Sequence, residues 1–156
     1  MSVGPVLAMP GEENDFHDAF VQKILASHLR VVGRPLLDGL SGRDVWSGDF
    51  ALLTHRGDSR AMLNYGNKLA LGLWDCDWEQ FTATPSSATA PDDDRASREA
   101  MMQQVMRDGF VSGYEGRRVS RNGRPFLIQD VTIWRLLEEN GESFGVAAIF
   151  RRYSYL

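Results

Sequence analysis

Two Asn-Gly dipeptides, Asn122-Gly123 and Asn140-Gly141, stand between runs rich in β-branched and aromatic residues, and they constrain this chain more than any other feature. The favoured two-residue hairpin turn needs positive φ at both central positions, which asparagine and glycine supply at least cost. Phe110 to Ser120, Pro125 to Leu137 and Phe144 to Arg152 therefore read as a three-stranded antiparallel meander. In the middle run Phe126 and Ile128 share one parity while Val131 and Ile133 share the other, so either a bulge near Gln129-Asp130 shifts the face or both faces are covered there, and the bulge is the preferred reading.

The elements before the meander follow from period and punctuation. Phe16, Phe20, Ile24 and His28 recur four apart with Val21, Leu25, Leu29 and Val32 beside them, giving an amphipathic helix over 15–33 that Gly33 and Pro35 end. Residues 1–14 read as a flexible leader, and residues 15–156 as a single domain. Leu36 to Asp49 reads as a connector or short irregular helix. Phe50 to Thr54 and Ala61 to Tyr65, separated by a polar loop, read as a hairpin. Asn67 is placed to cap a short helix, Trp78 and Phe81 fall in a second irregular turn, and Thr82 to Ala90 reads as a flexible loop. Asp92, Asp93 and Asp94 open a long helix that Arg107 and Gly109 close.

The order of these elements gives an α+β fold: a five-stranded antiparallel sheet, helices on one face and the N-terminal amphipathic helix. At 156 residues and 43% hydrophobic content the chain is long enough for one self-sufficient core. Its net charge of -4 argues against a nucleic-acid partner, which would need a basic face. The single cysteine rules out an intramolecular disulfide, and no apolar run approaches a membrane span, so a cytoplasmic protein without a membrane partner is expected.

At residue level the chain resembles the MEKHLA domain, a PAS-related family. The segments that carry the resemblance are FALLTH from Phe50, NYGNKLALGLWDCDWEQFTATPS from Asn64, GYEGRRVSRNGRPF from Gly113 and VTIW from Val131. The pattern runs from Phe16 to Phe150 and departs at Gly66, where many members have another small residue, and at Cys76. The resemblance implies a PAS-like sensory or regulatory role without naming a ligand.

Candidate chemistry is sparse. Cys76 sits in Trp-Asp-Cys-Asp-Trp, and flanking carboxylates raise a thiol pKa where a reactive thiol needs it lowered, so flavin-adduct chemistry is not expected. His17, His28 and His55 show no ligand spacing, which counts against haem or a metal site, and His28 continues the apolar stripe of its helix. Asp75, Asp77 and Glu79 cluster without a nucleophile and base beside them, and no enzyme is expected. Met101, Met102 and Met106 lie at helical spacing and should face the sheet.

The expected binding site is a cavity between the long helix and the sheet, walled by Asn64, Tyr65, Trp74, Phe81, Met102, Tyr114 and Trp134. Phe16, Phe20, Ile24 and Leu25 offer an interface for a homodimer or protein partner, or a cover for the outer sheet face. Two functions compete on these grounds: a small-ligand sensor that signals through protein contact, and a ligand-free dimerisation or docking module. A small α+β enzyme is the weaker third.

Overall fold

A computed structural model describes residues 4–156. Five strands, β1 (Ala51–Arg56), β2 (Leu63–Gly66), β3 (Phe110–Val119), β4 (Pro125–Leu137) and β5 (Ser143–Phe150), form one sheet in the order β2-β1-β5-β4-β3. All pairings are antiparallel, and a short sixth strand, β6 (Arg152–Tyr155), adds to β4. The meander stands where the Asn-Gly dipeptides place it, but its turns are not the expected two-residue type: of each dipeptide only the glycine, Gly123 or Gly141, takes positive φ, at +84° and +87°, and each closes its turn by donating its N–H to the carbonyl three residues back, Ser120 at 3.0 Å and Glu138 at 2.9 Å.

The bulge lies at Asp130, whose φ is +54°. Beyond it the side-chain parity inverts, so Ile128, Val131 and Ile133 all reach the same cavity. β5 pairs with the half of β4 after this point and β6 with the half before it, from Phe126↔Tyr155 to Gln129↔Arg152. The neighbouring strand thus breaks at Arg151, at the same level.

Helix α1 (Asp18–Val32) lies across one face of the sheet, principally on β4. It ends at Gly33, which adopts φ +90° and donates its N–H to the Leu29 carbonyl at 3.0 Å. The helix starts later than its apolar period suggests. Asp15, Phe16 and His17 take left-handed backbone angles within a 3-10 turn over Glu12–His17, so Phe16 precedes the helix and packs at the core's edge.

The expectation of a flexible leader over 1–14 is corrected for the described residues 4–14. Their carbonyls accept from buried or half-buried donors: Pro5 from Asn64 Nδ2 at 3.2 Å and Leu7 from Trp78 Nε1 at 3.0 Å. The segment satisfies polar groups that folding would otherwise strand. Residues 1–3 of that expectation lie outside the described residues.

Between β2 and β3 run α3 (Lys68–Leu73), α4 (Trp78–Thr82) and α5 (Arg95–Asp108); α2 (Gly42–Trp46) precedes β1. Asn67 and Asp77 cap α3 and α4 by accepting from Ala70 N–H at 3.3 Å and Gln80 N–H at 2.8 Å. Asp77 therefore serves a helix terminus rather than an acid/base pair. Thr82 to Ala90, expected to be a flexible loop, contains a 3-10 turn over Ser86–Thr89 with both of those residues buried. Helix α5 lies over the face opposite α1, with Met101 and Val105 buried, Met102 half-buried and Met106 turned out to solvent at 49% exposure.

Candidate ligand-binding cavity

Under α5 the sheet forms a partly open cavity of about 60 Å³. Its floor is apolar: Leu53 of β1, Ile128, Val131 and Ile133 of β4, and Val146, Ala148 and Phe150 of β5. Trp74, Met101 and Met102 close it from above.

The remaining wall carries charge. Arg98, from the buried side of α5, is 8% exposed, and Arg118, from β3, is 5% exposed. Arg98 Nη2 donates to the Ser86 hydroxyl oxygen. Arg118 donates to the Arg117 carbonyl at 2.7 Å and the Tyr114 hydroxyl at 3.3 Å, and stands 3.6 Å from Asp94 Oδ2. Burial first, then the like charge of Arg118, lowers the Arg98 pKa from its ordinary value, yet a guanidinium remains protonated at neutral pH.

His55, on β1, completes this wall. Its Nδ1 lies 2.9 Å from the Arg56 carbonyl, so that nitrogen carries the proton, and Nε2 is left buried with no hydrogen-bond partner. Burial lowers the His55 pKa to about 4, with the Arg98 charge acting in the same direction. The ring is therefore neutral at pH 7. No group of His, Cys, Asp and Glu among the described residues could hold a metal ion.

Three of the seven expected wall residues, Trp74, Met102 and Tyr114, line this cavity. The other four do not. Asn64 is buried at the edge of the sheet between Thr54 Oγ1, 2.6 Å away, and the Pro5 carbonyl. Tyr65 packs between Phe20 and Trp78, ring centroids 6.2 and 6.1 Å away. Phe81 fills the space against Gly66, and Trp134 lies under α1. For Trp134 the cause is parity: side chains alternate along a strand, and its indole points to the face that α1 covers. Tyr65 has the parity of Leu63, which does line the cavity, and the register shift between Thr54 and His55 in the β1–β2 pairing separates the two.

The expected interface is likewise corrected. Phe20 and Ile24 are buried against this chain's own sheet, and Phe16 and Leu25 pack against the same core. The apolar stripe covers the outer sheet face rather than standing free for a partner.

Six polar lining residues, Thr54, His55, Ser86, Thr89, Arg98 and Arg118, were not in the wall expected from the sequence, although His55, Arg98 and Arg118 carry a positional signal. Arg98, Met101, Met102 and Val105 stand at i, i+3, i+4 and i+7, which places Arg98 on the buried face of α5. His55 shares parity with Leu53, and Arg118 with Tyr114. Polar identity concealed what spacing disclosed. Ser86 has no such mark.

Cys76 is half-buried, is not on the cavity wall, and its thiol points to the Trp74 carbonyl at 3.3 Å. Burial, reinforced by Asp77 and Asp75 and opposed by Arg121, raises its pKa. The carboxylates named from the sequence thus act in the expected direction but rank below burial.

This arrangement, a five-stranded antiparallel sheet in the order 2-1-5-4-3 with its helices over one face and a further helix behind, is the PAS fold. The chain belongs to the MEKHLA domain family, which matches residues 18–155. Among solved structures it is similar to the PAS domain of a protein from Colwellia psychrerythraea, at 16% identity and a TM-score of 0.61, covering 73% of this chain and 92% of that one. It is also similar to an RNA-binding light-oxygen-voltage receptor, at 13% identity and a TM-score of 0.62, covering 74% of this chain and 35% of that one. A light-oxygen-voltage domain studied with a flavin analogue aligns at 8% identity with a TM-score of 0.60, over 74% of this chain and 83% of that one. None of the curated proteins matches this chain. No helix among the described residues is long and apolar enough to cross a membrane.

Proposed function

We propose that this protein is a sensory domain that binds a small ligand between α5 and the sheet and signals through contact with another protein or a second copy of itself. The observation that supports this most directly is the wall formed by Arg98, Arg118 and His55. Buried polar groups are normally partnered, whereas here a buried histidine nitrogen lacks a partner on the wall of a cavity; of the four such side-chain atoms among the described residues it is the one whose residue lines this cavity. The cavity is small beside the roughly 300–1,000 Å³ of common ligand sites, which favours a compact ligand over flavin or haem. The position of Cys76 away from the wall points the same way.

Native mass spectrometry of freshly purified protein, run beside Met102→Trp, tests this reading. A retained small molecule that Met102→Trp displaces, with the denaturation midpoint little changed, supports it. Loss of about 1–3 kcal/mol of stability with no retained molecule would mean that the indole overpacks a closed core. The docking-module reading would then lead, and it has an observation of its own: Tyr153, Tyr155 and Leu156 are exposed on and just beyond β6 at 37%, 44% and 66%.

A further inference from the structure

We infer that the cavity takes a short-chain monocarboxylate in its anionic form, bound through the guanidinium of Arg98 with Arg118 beside it; this rests on the cavity being a binding site. The first ground is charge balance. Two buried arginines share the wall, and among the described residues the one carboxylate within 4 Å of either is Asp94, which stands 3.6 Å from Arg118 and also accepts the Arg117 backbone N–H at 2.9 Å. Arg98 has no carboxylate partner; its one hydrogen bond is to the neutral Ser86 hydroxyl. One positive charge is in excess among these buried side chains, where an unpaired ion is costly and a single negative charge restores balance.

The second ground is shape. A guanidinium offers five N–H donors in a planar fork that matches the two oxygens of a carboxylate, and Arg98 uses one of them within the chain. The floor opposite, built of Val131, Ile133 and Val146, suits a short alkyl chain. A phosphate dianion would bring more charge than the wall lacks and offers no apolar end.

Isothermal titration calorimetry on the wild-type chain at pH 7, with acetate, propionate, butyrate and lactate each set against its own amide, isolates the charge without any mutation. Binding of at least one acid in preference to its amide, weakened about ten- to hundred-fold in Arg98→Met and less in Arg98→Lys, is the result expected from losing one charged hydrogen-bonding partner. No preference of any acid over its amide overturns the inference, and so does inorganic phosphate binding more tightly than every acid. The two levels of failure separate. If no acid is preferred but Met102→Trp still displaces a retained neutral molecule, the cavity stands as a site and the carboxylate falls. If nothing is retained, nothing binds and Met102→Trp destabilises, the binding reading falls and takes the carboxylate with it.

Discussion

Trp134 donates its indole N–H to the carbonyl oxygen of Ile24 at 3.2 Å, inside the layer between α1 and β4. The same indole meets the His28 ring edge-on at a centroid distance of 4.9 Å, and Ser27 on α1 accepts the Leu137 N–H at 2.9 Å. Helix α1 is therefore joined to the outer sheet face by directional bonds as well as by apolar contact. It is part of the fold.

Ile24→Ala should lower stability by about 2–5 kcal/mol, the range for truncating a fully buried isoleucine. Because Ile24 is wholly buried within its own chain, the light-scattering mass of the folded protein should stay at the wild-type value. A changed mass with an unchanged denaturant midpoint would contradict this packing.

Asn67 carries four hydrogen bonds from one buried amide. Its oxygen accepts from Leu52 N–H at 3.1 Å and Ala70 N–H at 3.3 Å, and its nitrogen donates to the carbonyls of Val45 at 3.0 Å and Phe50 at 2.7 Å. One side chain thus ties α2, the start of β1 and the cap of α3 together. Asn67→Ala leaves several backbone groups without partners and should cost about 3 kcal/mol or more, with Asn67→Asp no better because it loses both donors and buries a charge. Chemical denaturation of the two variants measures this directly.

Stability should fall as the solution is acidified. A histidine held near pKa 4 in the folded state binds its proton more weakly than in the unfolded chain, where the value is about 6.5. The unfolded state takes up the proton first, so the contribution of His55 is intact above about pH 6.5 and is lost progressively down to about pH 4, on the order of 3 kcal/mol in total. His28 shifts in the same direction through burial and adds to the slope. His55→Gln should flatten the pH dependence of the melting temperature across this window without removing it.

Gly66 ends β2 with the Phe81 ring against it. A Cβ at this position would stand 2.6 Å from Phe81 Cε2, and Phe81 is fully buried. Gly66→Ala should cost about 1–3 kcal/mol by overpacking. In the double variant with Phe81→Leu the two losses should be less than additive, since the smaller side chain removes the clash. Strict additivity in thermal melts would show that the two positions do not press on each other.

The meander, both helix stops and the cap at Asn67 were legible in the sequence because local chemistry decides each: a turn that needs a residue at positive φ, a glycine terminus, an amide that completes a first turn. The cap at Asp77 was not, because its carboxylate stands among Asp75 and Glu79 and reads as one of an acidic cluster. Asp130 could be located because hydrophobic parity fails there. The candidate site was harder to read. Trp74, Met102 and Tyr114 were identifiable as apolar or aromatic residues near α5, but Tyr65 and Trp134 are equally aromatic, and only the register shift beside Tyr65 and the facing of Trp134 separate them from the cavity. Facing depends on where α1 docks, a long-range choice that no short window contains. Arg98 and Arg118 were passed over because arginine at a buried position is rare, although the helical and strand periods both place them inward.

The paired breaks at Asp130 and Arg151 have a mechanical consequence. β4 floors the cavity with Val131 and Ile133 on one side of its break and grips the final strand through Phe126 and Ile128 on the other. The ladder to Tyr153 and Tyr155 is continuous with that floor, so no loop stands between the cavity and the last residues of the chain. The cavity floor and the exposed edge at Tyr153 and Tyr155 therefore share one strand as their support, and that strand turns at a left-handed residue between them.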